Sequence, residues 1–274
     1  MHAAREPAVA STPAPEAADF AKWFPGLPLS CTACVAPRWR VLCFPSAGSA
    51  EDMFTSKECL AVQAPGRMMR GREAPFTRAA DLAAALLPVV ASRLSDGVPY
   101  VVIGHSVGTW VAYELLAAAA AAGLPAPRAA WLSAMPAPDL PPAERPWRAQ
   151  RGLSEAEFME ECRGWDVNEV VFTPALWPTY QSLMRADFTL FDEYEFRGAG
   201  SPPFSFPITV FHGDGDRRIT EAHVRGWARF TTGAFACRRM RGHHLWPLQR
   251  SEKAAWLQAV VDEMAALASG PGVA

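Results

Sequence analysis

The fold is decided by residues 100–115, Tyr100-Val-Val-Ile-Gly-His-Ser-Val-Gly-Thr-Trp-Val-Ala-Tyr-Glu-Leu115. The apolar run 100–103 has the composition of a buried strand and leads directly into Gly104-His105-Ser106-Val107-Gly108. A helical stretch from Thr109 to about Ala122 follows, and Gly123 ends it. The pattern G-x-S-x-G is weak evidence by itself, but here it lies between a strand and a helix. That context predicts a nucleophile elbow.

Ser106 is the predicted nucleophile of this turn. A strand that turns abruptly into a helix forces its central residue into a strained backbone conformation. Gly104 and Gly108 leave room for the neighbouring strand and helix to approach closely. The hydroxyl of Ser106 should therefore stand clear of the sheet, at the positive end of the following helix.

Strand-like and helix-like patterns alternate along the rest of the chain. Apolar runs of strand type occur at residues 39–44, 60–63, 100–103, 129–133, 207–211 and 234–240. Helical patterns occur at residues 77–94, 109–122, 220–230 and 251–268. Such alternation predicts an α/β fold with a mostly parallel sheet covered by helices on both faces. Pro88 is expected to kink or split the first of these helices.

Two segments depart from this alternation of strand-like and helix-like patterns. Residues 1–20 are rich in Ala, Pro and Glu without apolar periodicity, and we predict a flexible tail there. Residues 21–274 then form one domain. Within it, the stretch at about 139–200 is first Pro-rich and then carries amphipathic pieces. This pattern favours a helical insertion, a lid, over the strand ends.

A serine nucleophile needs a general base, which in this chemistry is a histidine. The histidines that follow Ser106 are His212, His223, His243 and His244. His212 ends a strand and is expected to pack, whereas His223 is in a polar helix and is expected to face solvent. We choose His243 over His244 because Gly242 frees the turn immediately before it.

The acid that orients the base should follow a late strand. Gly213-Asp214-Gly215-Asp216 offers two carboxylates. Asp216 is favoured because it lies further into the loop, whereas Asp214 is expected to form a turn with its own backbone. Asp139, after the preceding strand, is a weaker alternative.

An oxyanion hole needs two backbone N–H groups that point at the developing negative charge. The residue after the nucleophile, Val107, provides one of them. The loop 45–49, Pro-Ser-Ala-Gly-Ser, is rich in small residues and follows the first strand. Ala47 is therefore the predicted second donor.

Composition excludes several function classes. The chain has 274 residues, of which 50% are apolar and 20% are charged, so it has enough apolar material for a large core. Its 26 basic and 28 acidic residues give a net charge of −2, which offers no support for nucleic-acid binding. No apolar run is long enough to span a membrane, and no metal or organic cofactor is expected.

The six cysteines are scattered, and the chain is too long to need disulfides for stability. Without an apolar signal segment at the N-terminus, this usage predicts a reducing compartment, the cytoplasm. Cys31 and Cys34 form the one close pair, but no second pair or histidine follows at the spacing of a zinc site.

Several segments, taken together, resemble the type II (editing) thioesterases of polyketide, non-ribosomal peptide and fatty acid synthesis, which have the α/β-hydrolase fold. The matching segments are Trp23-Phe24, Cys43–Gly48, Val62–Arg67, Arg72–Pro75, Gly104–Leu115, Leu183–Phe188 with Tyr194, Gly213–Asp216 and Gly242-His243. The elbow is common to all α/β-hydrolases. The Pro-Gly-Arg loop at 65–67 and Arg-Ala-Asp-Phe at 185–188 are more particular to the family.

The resemblance implies a Ser106–His243–Asp216 triad, with Ala47 and Val107 at the oxyanion hole. It also implies hydrolysis of acyl thioesters on the phosphopantetheine arm of an acyl or peptidyl carrier protein, by a monomer. The segment between Ser49 and Leu60 is shorter than in the family, so the first helix and the strand after it are expected to be trimmed.

Arginines 67, 70 and 72 are expected either to contact the carrier protein or to form salt bridges on a solvated loop. Arg185 and Asp187 are expected to pin the lid helices together.

Two other functions are compatible with the same residues. A general carboxylesterase or lipase would use the same triad, and the Arg-Ala-Asp-Phe segment favours the thioesterase over it. A catalytically inactive hydrolase fold that binds protein is less consistent with an intact set of Ser, Asp and His.

Overall fold

A computed structural model of the protein describes residues 15–26, 38–54 and 59–269. The close pair Cys31 and Cys34 lies outside these residues, as do residues 1–14 of the predicted tail and residues 55–58 of the shortened segment. For residues 15–20 the tail prediction is wrong, because helix α1 (Pro15–Trp23) begins there. Its Phe20 ring lies 4.8 Å from the ring of buried Phe24, so apolar packing holds this helix on the core.

The predicted parallel sheet is confirmed. Among the described residues the strands are β1 (Arg40–Phe44), β2 (Cys59–Ala61), β3 (Tyr100–His105), β4 (Ala130–Ser133), β5 (Ile208–Gly213) and β6 (Phe235–Met240). Every pairing is parallel, and the strand order is β2-β1-β3-β4-β5-β6. The order reverses between β1 and β3, and such a switch point is where open α/β sheets bind ligands. The loop after β1 and the turn after β3 therefore meet at this point.

Both faces of the sheet are buried. Successive side chains along each strand point to opposite faces, so neighbouring residues belong to different apolar clusters. Leu42 and Val102 belong to one apolar cluster, and the next residues along the chain, Cys43 and Ile103, belong to a second one. The helices that cover the sheet are α2 (Ala79–Leu94), α3 (Val107–Ala121), α6 (Glu221–Arg225) and α7 (Arg250–Ser269). None of the helices in the described part of the chain has the length and hydropathy needed to cross a bilayer.

Helix α2 runs through Pro88 without interruption, so of the predicted kink or split, the split is wrong. Leu86 and Val90, on either side of the proline, are fully buried. Their burial holds both halves of α2 in place, although the proline lacks the N–H of one helical hydrogen bond.

The insertion, residues 139–200, contains helices α4 (Glu155–Gly164) and α5 (Trp177–Asp192). Helix α4 begins with a capping box, in which Ser154 and Glu157 satisfy each other's backbone N–H groups. Helix α5 packs against α3, the helix that follows Ser106. The insertion is thus placed next to the turn that carries the predicted nucleophile.

The last residue of α5, Asp192, is a largely buried carboxylic acid. Its Oδ2 accepts a hydrogen bond of 2.7 Å from the backbone N–H of Gln150. Burial, together with the nearby Glu161 carboxylate, raises the pKa of Asp192 to about 7. Its pKa in the unfolded chain is about 3.9, so the folded protein binds the proton more tightly, and this group lowers stability as pH rises from about 4 to about 7.

We therefore expect Asp192→Asn to stabilise the protein more at pH 8 than at pH 5. Asparagine keeps an oxygen for the Gln150 N–H and cannot ionise. The measurement is the difference in Tm between variant and wild type at the two pH values. Glu195→Gln, at an exposed position, is the control and should change Tm little at either pH. A Tm difference for Asp192→Asn that is the same at both pH values would contradict the prediction.

Candidate functional site

Ser106 lies in a strained turn between β3 and α3. Its φ is 53° and its ψ is −134°, a conformation that non-glycine residues rarely adopt. A Cβ on Gly108 would lie 2.4 Å from the carbonyl oxygen of Phe44, and one on Gly104 would lie 2.9 Å from Cα of Thr109. Both glycines are therefore required by close packing, as the elbow pattern predicts.

His244, and not His243, lies beside the serine. The Nε2 atom of His244 is 2.9 Å from Ser106 Oγ, and its Nδ1 atom is 2.7 Å from Asp216 Oδ2. The His243 ring instead accepts a hydrogen bond of 3.1 Å from the Leu245 N–H and contacts the side chain of Gln249. The structure thus brings together Ser106, Asp216 and His244, and the prediction of His243 as the third member is wrong.

The physical reason lies in the turn at Gly242. This glycine has a φ of 120°, and its carbonyl oxygen accepts a hydrogen bond of 2.9 Å from the Gly215 N–H. The glycine therefore packs on the Asp216 loop and directs the second following side chain, not the first, toward the serine. The sequence carries a signal for this choice, because His244 adjoins the buried run Leu245-Trp246-Pro247, whereas His243 follows the polar segment 238–242.

Asp216 is a fully buried carboxylate with every contact on its two oxygens provided by nearby N–H groups. Its Oδ1 accepts hydrogen bonds of 2.9 Å from the backbone N–H groups of Arg218 and Ile219, and its Oδ2 faces His244. Burial acts to raise the pKa of Asp216, but His244 and these N–H groups outweigh it and lower the pKa below its usual range. An ionised Asp216 keeps the Nδ1 hydrogen of His244 on its own side, which leaves Nε2 as the acceptor for the serine hydroxyl.

The alternative carboxylates have other partners. Asp214 Oδ1 accepts a hydrogen bond of 3.0 Å from the Gly242 N–H, so it joins the two loops of the site instead of forming the predicted turn with its own backbone. Asp139 pairs with Arg229. Neither contacts His244 in the described structure.

His105, immediately before the serine, fixes the backbone of His244. Burial lowers the pKa of His105 well below its usual value, so its ring is neutral and carries a single hydrogen. Its Nε2 lies 2.9 Å from the carbonyl oxygen of His244, and a carbonyl only accepts, so this nitrogen is the donor. Its Nδ1 lies 2.8 Å from the hydroxyl of Ser133. Sequence reasoning assigned no role to this histidine.

The predicted oxyanion loop, residues 45–49, packs against the start of α3. Besides the Phe44 contact, a Cβ on Gly108 would lie 2.5 Å from the carbonyl oxygen of Pro45, so the backbones of this loop and of Val107-Gly108 are adjacent. The Ala47 N–H makes no hydrogen bond with any other described residue. An N–H without a hydrogen-bond partner in a loop adjacent to the elbow is compatible with the prediction of Ala47 and Val107 as donors.

A buried ion pair that the sequence did not predict holds this loop. Arg67 and Asp187 are joined by bonds of 2.7 and 3.1 Å, and their side chains are 8% and 1% exposed. Asp187 Oδ2 also accepts the Gly48 N–H at 2.7 Å, and Arg67 donates to the Ser49 carbonyl oxygen at 2.8 Å. Asp187 therefore joins α5 to the oxyanion loop instead of joining the insertion helices to each other.

The predicted arginine cluster is mostly internal. Arg70 is also buried and pairs with Glu73, so of arginines 67, 70 and 72 only Arg72 is exposed. The predicted salt bridge on a solvated loop is present for Arg70, because residues 68, 69 and 71–74 around its pair with Glu73 are exposed, whereas the pair of Arg67 with Asp187 is internal. Arg185, by contrast, stays within the insertion, where it bonds the Gln150 side chain at 2.8 Å and stacks over Phe158.

Comparisons with known proteins agree with this geometry. The family profile of the thioesterase domain matches residues 40–264. The chain belongs to the thioesterase family. Gramicidin S biosynthesis protein GrsT of Aneurinibacillus migulanus is 26% identical over 235 residues, which cover 81% of this chain and 87% of that protein.

Two solved structures are similar to this thioesterase over most of its length. The RedJ thioesterase from the prodiginine pathway of Streptomyces coelicolor is 28% identical, with a TM-score of 0.74, over 88% of this chain and 97% of that one. The type II thioesterase BorB from the borrelidin biosynthetic cluster is 27% identical, with a TM-score of 0.69, over 82% and 93%. The protein is therefore a hydrolase of thioesters with the α/β-hydrolase fold.

One group of side chains in the described part of the thioesterase has ligand types that suit a metal ion. The ligand atoms of His212, Glu221 and Cys237 lie within 4.8 Å of one another. The Glu221 carboxylate is already paired with Arg225, so a cation would compete with that guanidinium. None of these three residues contacts Ser106 in the described structure.

The site of this thioesterase is covered. Ser106 is 5% exposed and His244 is 1% exposed. Beside the oxyanion loop lies a cavity of about 30 Å³, lined mainly by apolar side chains from β1, α2, α3 and α5. Its lining includes Phe44, Val62, Leu82, Val107, Val111 and Leu190. A cavity of this size has room for about two water molecules.

We expect Asp187→Ala to lower the free energy of unfolding by about 3–5 kcal/mol, because it leaves the Arg67 guanidinium buried without a counterion. Urea unfolding measures the loss. Glu193→Ala is the matched control, since it removes a carboxylate from an exposed pair with Arg151 in the same insertion and should cost about 0–1 kcal/mol. Equal losses for the two variants would show that the buried pair contributes nothing particular.

Proposed function

We propose that Ser106, His244 and Asp216 form the catalytic triad of this thioesterase, and that its substrates are acyl groups on the phosphopantetheine arm of a carrier protein. The observation that carries the triad is the continuous hydrogen-bond path from Ser106 Oγ through His244 to Asp216, with distances of 2.9 and 2.7 Å. These distances are within the range required of a nucleophile, its base and the group that orients the base.

In the proposed reaction the hydroxyl oxygen of Ser106 attacks the thioester carbonyl while His244 Nε2 takes the hydroxyl proton. The N–H groups of Ala47 and Val107 stabilise the negative oxygen of the tetrahedral intermediate. The carbon–sulfur bond then breaks, and the thiol leaves with the proton from His244. Water, activated by the same nitrogen, attacks the acyl-enzyme and releases a free acid and the serine.

The carrier protein as partner is supported by the relatives. GrsT is named for gramicidin S biosynthesis, RedJ for the prodiginine pathway, and BorB is a type II thioesterase of the borrelidin cluster. We propose the same setting here, with the enzyme either editing stalled intermediates or releasing a product. Cys43 and Cys162 are buried thiols and not disulfides, which supports the cytoplasm as its compartment.

Entry of substrate requires the insertion to move, and we therefore propose that residues 139–200 act as a lid. Ser106 is nearly inaccessible, and the neighbouring cavity of about 30 Å³ holds no acyl chain of appreciable length. Helix α5 forms one wall of that cavity through Asp187 and Leu190. A shift of α5 away from α3 would open the cavity toward the oxyanion loop.

The substrate class is tested by comparing acyl-carrier thioesters, from acetyl to long chain, with p-nitrophenyl esters of the same acids. We expect kcat/KM to be higher for the carrier thioesters, because only these present the arm and the carrier surface. Ser106→Ala should lose several orders of magnitude in turnover on both. A clear preference for oxygen esters would point to a general carboxylesterase, and unchanged turnover in Ser106→Ala would contradict the triad.

The two adjacent histidines provide a matched pair of variants. His244→Ala should lower kcat by about 10³- to 10⁶-fold, because the serine loses its base. His243→Ala removes contacts with Leu245, Gln249 and, at 3.8 Å, Asp166, none of them with the serine, and should stay within about tenfold of wild type. Steady-state hydrolysis of one acyl-carrier thioester measures both. The reverse order of effects would restore His243 as the base.

A further inference from the structure

Asp166, in the insertion just after α4, contacts the loop that carries the triad histidine. Its Oδ2 accepts a hydrogen bond of 2.9 Å from the backbone N–H of His244. The side chain of Asp166 is only 11% exposed. The same oxygen lies 3.8 Å from Nδ1 of His243. Asp166 therefore reaches the triad through the main chain of its base, and it makes no hydrogen bond to the His244 imidazole.

Asp166 also contacts the loop of the triad acid. Its Oδ1 accepts a hydrogen bond of 3.0 Å from Nε of Arg217, the residue that follows Asp216. Arg217 donates to the Arg163 carbonyl oxygen at the end of α4 as well. One carboxylate of the insertion thus joins the loops that carry His244 and Asp216, which are separated by 28 residues in the chain.

Two hydrogen bonds of 2.9 Å hold the backbone of His244 from opposite sides. His105 Nε2 donates to its carbonyl oxygen from the sheet, and Asp166 accepts its N–H from the insertion. The Trp165 ring packs edge-on against the His244 ring, with centroids 4.7 Å apart. The sheet provides one fixed contact, and the insertion provides the contacts that its displacement would remove.

The backbone of Asp166 has a conformation that closes helix α4, because its N–H and that of Val167 donate to the carbonyl oxygens of Arg163 and Cys162. Its φ is 60°, in the left-handed region that glycine, asparagine and aspartate tolerate best. If the side chain at position 166 had no role, glycine would adopt this backbone conformation with less strain. The strain and the two hydrogen bonds together indicate a side chain that is needed for its acceptor oxygens.

We propose that Asp166 is a positioning residue that aligns His244 with Ser106 and Asp216 only when the insertion is closed over the site. This proposal rests on the triad of the proposed function. When the insertion moves to admit substrate, the carboxylate leaves the His244 N–H, and the base returns to its working position on closure. Hydrolysis is thereby coupled to a closed site.

The test compares Asp166→Gly with Asp166→Asn. Glycine adopts the same backbone conformation without strain and lacks the acceptor, whereas asparagine keeps an acceptor oxygen. We expect Asp166→Gly to lower kcat for an acyl-carrier thioester by about 10- to 100-fold, with KM within about threefold and Tm within a few degrees of wild type. Asp166→Asn should restore kcat to within about threefold of wild type. Arg148→Gln, which breaks an exposed ion pair of the same insertion with Glu157, is the control and should leave kcat unchanged.

A second readout is the rate at which a fluorophosphonate labels Ser106. This labelling reaction requires an aligned base but no carrier protein. The labelling rate should fall in parallel with kcat in Asp166→Gly. If wild type labels but does not hydrolyse carrier thioesters, the proposed substrate is wrong, and the labelling rates still test Asp166. If Asp166→Gly does not fold, Arg217→Gln is used in its place, because the Arg217 side chain is 61% exposed. Arg217→Gln should slow the labelling of Ser106 by more than about threefold. The proposal would be overturned if these variants were labelled at the wild-type rate, or if Asp166→Gly and Asp166→Asn lost the same fraction of the labelling rate.

Discussion

The site depends on one imidazole that hydrogen-bonds two residues from distant parts of the chain. His244 lies between Ser106, which follows β3, and Asp216, which follows β5, and no two of these residues are neighbours in sequence. An imidazole transfers a proton only along the directions of its two nitrogens, so a small rotation of the ring disconnects both partners. Much of the surrounding structure is explained by the need to prevent that rotation.

The parallel sheet provides most of this rigidity. Because all its strands run in the same direction, the loops after β1, β3, β5 and β6 emerge at one edge. At that edge the backbones pack so closely that Gly108 and Gly213 have no room for a side chain: a Cβ would lie 2.4 Å from the Phe44 oxygen and 2.5 Å from the Gly242 oxygen. The loops are therefore positioned by main-chain contact, and their side chains remain available for chemistry.

The sequence predicted those parts of the site that local sterics determine. The elbow at Ser106 and the parallel sheet follow from glycine spacing and alternating patterns, and Asp216 was favoured by its place in the loop. The choice between His243 and His244 depends on how the Gly242 turn packs on the Asp216 loop, a contact between distant segments. Arg67 with Asp187, and Asp166 with His244, are contacts of the same kind, separated by 120 and 78 residues. Periodicity carries no information about such pairs, and only the buried run after His244 offered a local signal.

The insertion contributes to the site through backbone groups at two places. Asp187 accepts the N–H of Gly48, next to the predicted oxyanion donor, and Asp166 accepts the N–H of His244. Both acceptors are carboxylates paired with an arginine, and both lie in the insertion that we propose to act as a lid. Since a hydrogen bond to a charged acceptor is stronger than one between neutral groups, closure of the insertion stabilises both loops together. In the proposed lid movement, closure therefore excludes water and also restores the geometry of the base and of the predicted oxyanion loop.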